Sequence, residues 1–139
     1  MINVKIIQLP AKIEQWETVC EMLENTLESS EISVKAKYEI SVSAEEIFTN
    51  IASYAYDTEE GMVEISWGCK DETKKEFQIS FKDWGAPYNP LERQDPDFNV
   101  PFEERRIGGL GIYMVKKFMD RVEYRNENGC NIFTIGKNL

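Results

Sequence analysis

The sequence predicts an α+β fold in one domain spanning residues 1–139. Three observations carry this expectation. Apolar residues recur at helical spacing in three stretches and alternate with polar residues in others, while 139 residues with 42% hydrophobic content suffice for one core and are too few for two ordinary domains.

Asn3 to Gln8 alternates Val4, Ile6 and Leu9-side apolar positions with polar ones, and Pro10 ends the run, as expected of an edge strand. Trp16, Val19, Cys20, Leu23 and Leu27 then recur at helical spacing until Glu28-Ser29-Ser30-Glu31 breaks the pattern. Ser33 is placed to cap a second helix from Val34 to about Tyr56, with Ile40, Val42, Ile47, Ile51 and Ala55 among its apolar positions. After a turn from Asp57 to Gly61, Val63, Ile65 and Trp67 alternate, as do Phe77, Ile79 and Phe81. With the charged stretch from Lys70 to Lys75 between them they predict a hairpin or meander, and so antiparallel pairing.

Periodicity stops from Trp84 to Ile107. Gly85, Pro87, Pro90, Pro96 and Pro101 punctuate a segment too long for an ordinary connector, and a lid or binding loop is expected there. Helical spacing resumes from Gly109 to Met119. Val122-Glu123-Tyr124 and Ile132-Phe133-Thr134-Ile135 then form a closing hairpin around Asn128-Gly129, a strong two-residue turn signal.

Composition excludes several functions. A formal net charge of −9 argues against nucleic-acid binding and against attraction to anionic lipid, both of which need a basic face. No apolar run reaches the ~18 residues that a membrane span needs. Met1-Ile2-Asn3-Val4 lacks the layout of a signal peptide, so a cytoplasmic protein is expected. Cys20, Cys69 and Cys130 are odd in number and widely spaced, which suggests reduced thiols rather than disulfides or a zinc site. With no histidine in the chain, acid–base chemistry falls to carboxylates, lysines or tyrosines.

Chemistry concentrates in three places. Arg105-Arg106-Ile107-Gly108-Gly109-Leu110-Gly111 sets glycines and cations at a helix start, where backbone N–H groups and the macrodipole suit phosphate. Met114 stands where a dinucleotide fingerprint needs glycine, and Gly136-Lys137 lacks the rest of a P-loop. Glu46 and Asn50, four apart, share a helix face and offer oxygen ligands of the kind Mg²⁺ takes beside substrate phosphates. Glu45 lies about 100° round the helix and points elsewhere. Asp83, at the end of a strand pattern, is either an ordinary turn residue or an acceptor for an exocyclic amine, with Gly85 letting the chain bend around a planar base.

Taken in order, Glu46-Ile47-Phe48-Thr49-Asn50 through Tyr54-Ala55-Tyr56, then Asp83-Trp84-Gly85, then Gly108-Gly109-Leu110-Gly111 resembles the N, G1 and G2 boxes of the GHKL (Bergerat-fold) ATPases. The resemblance covers about residues 4 to 137. Within that superfamily, the small size, the stretch Met119-Asp120-Arg121-Val122-Glu123-Tyr124 and the later Gly129-Cys130-Asn131 look like the anti-sigma factor serine kinase branch. The resemblance implies a two-layer sandwich, with a mixed, mostly antiparallel sheet and helices on one face, and ATP under a flexible lid. It also implies roles: Asn50 as Mg²⁺ ligand, Glu46 as general base, Asp83 as adenine anchor and Gly85 as support for the base pocket. Gly108, Gly109, Leu110 and Gly111 would cradle phosphates, and Arg105 or Arg106 would neutralise charge at the γ-phosphate. Tyr54 departs from the histidine common in the segment His-Ala-Tyr of relatives, and Tyr88 to Glu104 matches little.

The function implied is an ATP-binding anti-sigma regulatory factor that phosphorylates a serine of an anti-sigma factor antagonist of the STAS type. Its partners would be that antagonist and a sigma factor, with dimerisation also implied. The alternatives are a nucleotide-dependent binding module with little kinase activity and a detached histidine kinase ATPase domain, which the lack of a phosphoacceptor helix disfavours.

Overall fold

The computed structural model describes residues 1–57, 60–73, 75–92, 95, 99 and 109–139, with only the backbone at 109 and 110. Its elements are β1 (Ile2–Pro10), α1 (Trp16–Glu28), α2 (Val34–Tyr54), β2 (Met62–Cys69), β3 (Glu76–Asp83), α3 (Gly109–Phe118), β4 (Arg121–Glu127) and β5 (Cys130–Asn138). Short 3-10 turns cover Ile13–Gln15 and Pro90–Glu92. Local chemistry explains the boundaries. Ser33 Oγ accepts from Ala36 N at 3.1 Å and caps α2. At the far end α2 stops short of the expected Tyr56, whose hydroxyl instead donates to Met62 O at 2.6 Å and ties the chain to β2. Asn128 and Gly129 take φ of 54° and 77°, the left-handed pair that a two-residue hairpin turn requires.

The sheet runs in the order β1-β2-β3-β5-β4 and all four pairings are antiparallel, a narrower result than the mixed sheet the resemblance implies. Because β5 lies between β3 and β4, the closing hairpin returns the chain to β3. Asn131 thereby comes opposite Asp83.

One sheet face carries Val63, Ile65, Trp67, Phe77, Ile79, Phe81, Phe133 and Ile135, all buried against Leu23 and Leu27 of α1, Ile40, Ile47 and Phe48 of α2, and Ile112 and Val115 of α3. The other face is polar, with Ser80 and Thr134 hydroxyls 2.9 Å apart and Arg121 bonded to Glu76 at 2.6 Å. β1 departs from its reading. Leu9 pairs with Val63 and Ile7 with Ile65 on the inward side, so the two-residue period turns Val4 and Ile6 outward, at 38% and 64% exposure. Lys137 of β5 joins the helices: its Nζ lies 2.9 Å from Glu39 of α2 and donates to Phe118 O, at the end of α3, at 2.6 Å.

Candidate functional site

The C-terminal half of α2 projects Glu46 and Asn50 on one face, one turn apart, both half-buried, while Glu45 is exposed. Asp83 closes β3 on the inward register set by Phe77, Ile79 and Phe81, and is only 5% exposed. A buried carboxylate needs hydrogen bonds. It accepts two, from Gly85 N at 2.9 Å and Asn131 Nδ2 at 3.0 Å, both on Oδ1.

Gly85 brings the segment after β3 onto the end of α2. A Cβ there would stand 2.0 Å from Ala55 O, a backbone atom, so no larger residue fits without displacing one of the two segments. Tyr56 holds the same junction, its hydroxyl accepting from Trp84 N at 2.9 Å while donating to Met62 O. Burial is the main influence pushing its phenol above the ordinary range, which keeps it a hydroxyl.

Asn50, Tyr54, Asp83, Tyr88, Tyr124 and Asn131 line an open cleft walled by Ile47, Ile51 and Phe133. An apolar wall with a few convergent polar groups is the character of small-ligand sites. Asn50 and Asp83 thus line one cleft. Glu46 sits one turn from Asn50 and faces α3, where a Cβ on Gly111 would come 2.2 Å from its Oε2. Burial, followed by the charge of Glu45, raises its pKa above the ordinary carboxyl value. Gly109 and Leu110 open α3, as expected. Arg105, Arg106 and Gly108 lie outside the described residues.

The sequence assigned no site role to Asn131, Tyr88 or Tyr124, although Tyr124 and Asn131 fall in stretches that carry the family resemblance. Asn131 could have been found by extending the Asn128-Gly129 hairpin register and asking what opposes Asp83; the tyrosines carry no local signal. Among the described residues, no group of three or more histidine, cysteine or acidic side chains could hold a metal ion, and no helix is long and apolar enough to cross a membrane. The cysteines are free thiols, Cys20 pushed up to about 11 by burial and by its hydrogen bond to Glu24.

The model of the histidine kinase-like ATPase domain matches residues 9–137. The chain is 25% identical over 103 residues to the serine/threonine-protein kinase BtrW of Bordetella bronchiseptica, covering 74% of this chain and 71% of that one. It is 26% identical over 139 aligned positions to the serine-protein kinase RsbW of Oceanobacillus iheyensis, covering 91% and 81% respectively. In fold it resembles the RsbU and RsbW domain structure of a Mycobacterium tuberculosis protein, with a TM-score of 0.70 at 16% identity over 99% of this chain and 32% of the longer one. The histidine kinase domain of an Erythrobacter litoralis blue-light activated kinase is also similar, with a TM-score of 0.59 at 14% identity over 94% of this chain and 62% of that one.

Proposed function

The chain belongs to the histidine kinase-like ATPase domain family, and from that premise we propose that it is an ATP-binding anti-sigma regulatory factor with protein-serine kinase activity. Its substrate would be a serine of a STAS-type anti-sigma factor antagonist, and its second partner a sigma factor. The observation that carries the reading is the convergence of Asn50 and Asp83 in one cleft, with Glu46 one turn away against the glycine of α3.

Each residue has a part that phosphoryl transfer needs. Asp83 accepts the amino hydrogen of adenine, and Gly85 lets the following segment wrap the base. Asn50 offers a neutral oxygen that fits Mg²⁺, an ion usually held by one or two protein oxygens and the substrate's own phosphates. When bound, the ion supplies charge neutralisation across the phosphates. Gly109, Leu110 and Gly111 open α3 and would offer backbone N–H groups to the phosphates. Gly108 and the cation of Arg105 or Arg106, which lie outside the described residues, are assigned to the phosphates by the resemblance alone.

Glu46 takes the proton from the serine hydroxyl as its oxygen bonds to the γ-phosphorus. The bond to the bridging oxygen breaks, and ADP leaves with that electron pair. Partial burial favours a proton acceptor working nearer neutral pH than an exposed carboxylate.

The test is incubation of the protein with γ-labelled ATP, Mg²⁺ and candidate antagonist proteins. Label should appear on an antagonist serine, and Glu46→Gln should bind ATP like the wild type while transferring about 10²–10⁴-fold more slowly. ATP binding without transfer by the wild type to any antagonist would leave a nucleotide-dependent binding module in place of the kinase.

A further inference from the structure

Asn131 is the most heavily bonded side chain at the base end of the cleft, and the stretch Gly129-Cys130-Asn131 that contains it was given no role in the site. It is buried, at 6% exposure, opposite Asp83 in the β3–β5 register. Its Nδ2 faces three acceptors: Asp83 Oδ1 at 3.0 Å, Ala86 O at 3.0 Å and Gly85 O at 3.3 Å. Its Oδ1 faces three donors: Tyr88 N at 3.3 Å, Asn126 Nδ2 at 3.3 Å and the Tyr124 hydroxyl.

These partners fix the amide. Gly85 O and Ala86 O can only accept and Tyr88 N can only donate, so a flipped amide would set oxygen against three oxygens. With Nδ2 held this way, Asp83 Oδ1 takes hydrogen bonds from both Asn131 and Gly85 N. Oδ2 is left as the acceptor for a ligand.

Resting on the reading of this cleft as an adenine-nucleotide site, we propose that Asn131, oriented by Tyr124, is the positioning residue that determines base specificity. Asp83 provides the acceptor, but a lone carboxylate can rotate and present either oxygen. Asn131 fixes that rotation together with Gly85 N, and at the same time it holds the Gly85–Ala86 carbonyls away from the base. The cleft then takes a purine whose 6-position donates a hydrogen bond and rejects one that presents a carbonyl oxygen there. A site built around one fixed hydrogen bond discriminates more strongly than an apolar wall of the same shape.

The experiment is calorimetric titration of the full chain with ATP and with inosine triphosphate, which carries oxygen at the position of the amino group. The readout is the ratio of the two affinities, because a general loss of structure lowers both together and leaves their ratio unmoved. The wild type should prefer ATP by about tenfold or more, Asn131→Ala by less than about threefold, and Tyr124→Phe by an intermediate factor. A folded Asn131→Ala protein that keeps the wild-type ratio overturns the inference. If that variant does not fold, Tyr124→Phe, which removes one hydroxyl, decides in the same way. Equal affinity of the wild type for both nucleotides refutes the specificity role while leaving ATP binding intact; a wild type that binds neither refutes the nucleotide reading and this inference with it.

Discussion

Substituting Gly85 by alanine tests whether the contact between the segment after β3 and the end of α2 builds the site. The new Cβ would lie 2.0 Å from Ala55 O and 2.7 Å from its carbonyl carbon. Those atoms belong to backbone whose N–H is bonded to Ile51 O at 3.0 Å, so they cannot swing aside as a side chain would. The segment must therefore retreat by about 1 Å or more, since non-bonded heavy atoms sit well only at about 3.5–4 Å. Overpacking of this kind costs about 1–3 kcal/mol. The retreat also strains the bond from Gly85 N to the Asp83 carboxylate, for which about 1.5–3 kcal/mol is at stake. A total of about 2.5–6 kcal/mol, at roughly 3–5 °C per kcal/mol for a chain of this size, lowers the midpoint by about 8–30 °C.

Gly111→Ala is the matched control. Its Cβ would come 2.2 Å from Glu46 Oε2, but that atom is the far end of a half-exposed flexible side chain that can rotate away. Replacing a helical glycine by alanine stabilises by about 0.5–1 kcal/mol, so this variant should stay within about 1 kcal/mol of wild type. Phosphoryl transfer should nonetheless fall, because Glu46 is displaced. Urea denaturation, ATP calorimetry and the labelled-ATP assay on both variants read these effects. A Gly85→Ala protein with wild-type midpoint and affinity, or a Gly111→Ala protein equally destabilised, would refute the geometry.

Asp83→Asn should weaken ATP binding more than about tenfold, the value of a charged hydrogen bond, and unchanged calorimetric affinity would remove Asp83 from the site. Glu46→Gln should raise thermal stability at neutral pH. The folded pKa of Glu46 lies above the ordinary 4.5, so the native state takes up protons between 4.5 and that raised value and loses stability as pH rises through the window. The variant's advantage should vanish below pH 4.5, and a pH-independent difference in midpoint would contradict it. Lys137→Met leaves the partly buried Glu39 without its cation and Phe118 O without its donor, and should cost up to about 3 kcal/mol in urea denaturation, the lower edge for a fully buried pair. Adding Glu39→Met should recover much of that loss; no recovery would mean that the pair itself is not the cause.

Local chemistry made most of the elements legible in the sequence. The Ser33 cap, the Asn128-Gly129 turn and the helical pairing of Glu46 with Asn50 each depend on residues within a few positions of one another, and each takes the expected form. The start and end of α3 and the alternation of β2 and β3 follow for the same reason. Other features depend on partners far away in sequence. Which face of β1 turns inward was settled by Leu9 meeting Val63, and the end of α2 by Tyr56 reaching Met62. The need for glycine at 85 arises from Ala55 O, and the place that the Glu46 carboxylate takes beside α3 depends on the missing Cβ at 111. Most of the candidate site was visible as motifs, but the base end was completed by Asn131, which lies 48 residues from Asp83 and meets it only because β5 inserts between β3 and β4. Periodicity records which side of an element is apolar; strand order and cross-sheet register come from the collective burial of all those sides, and they decide which distant side chain stands beside a functional one.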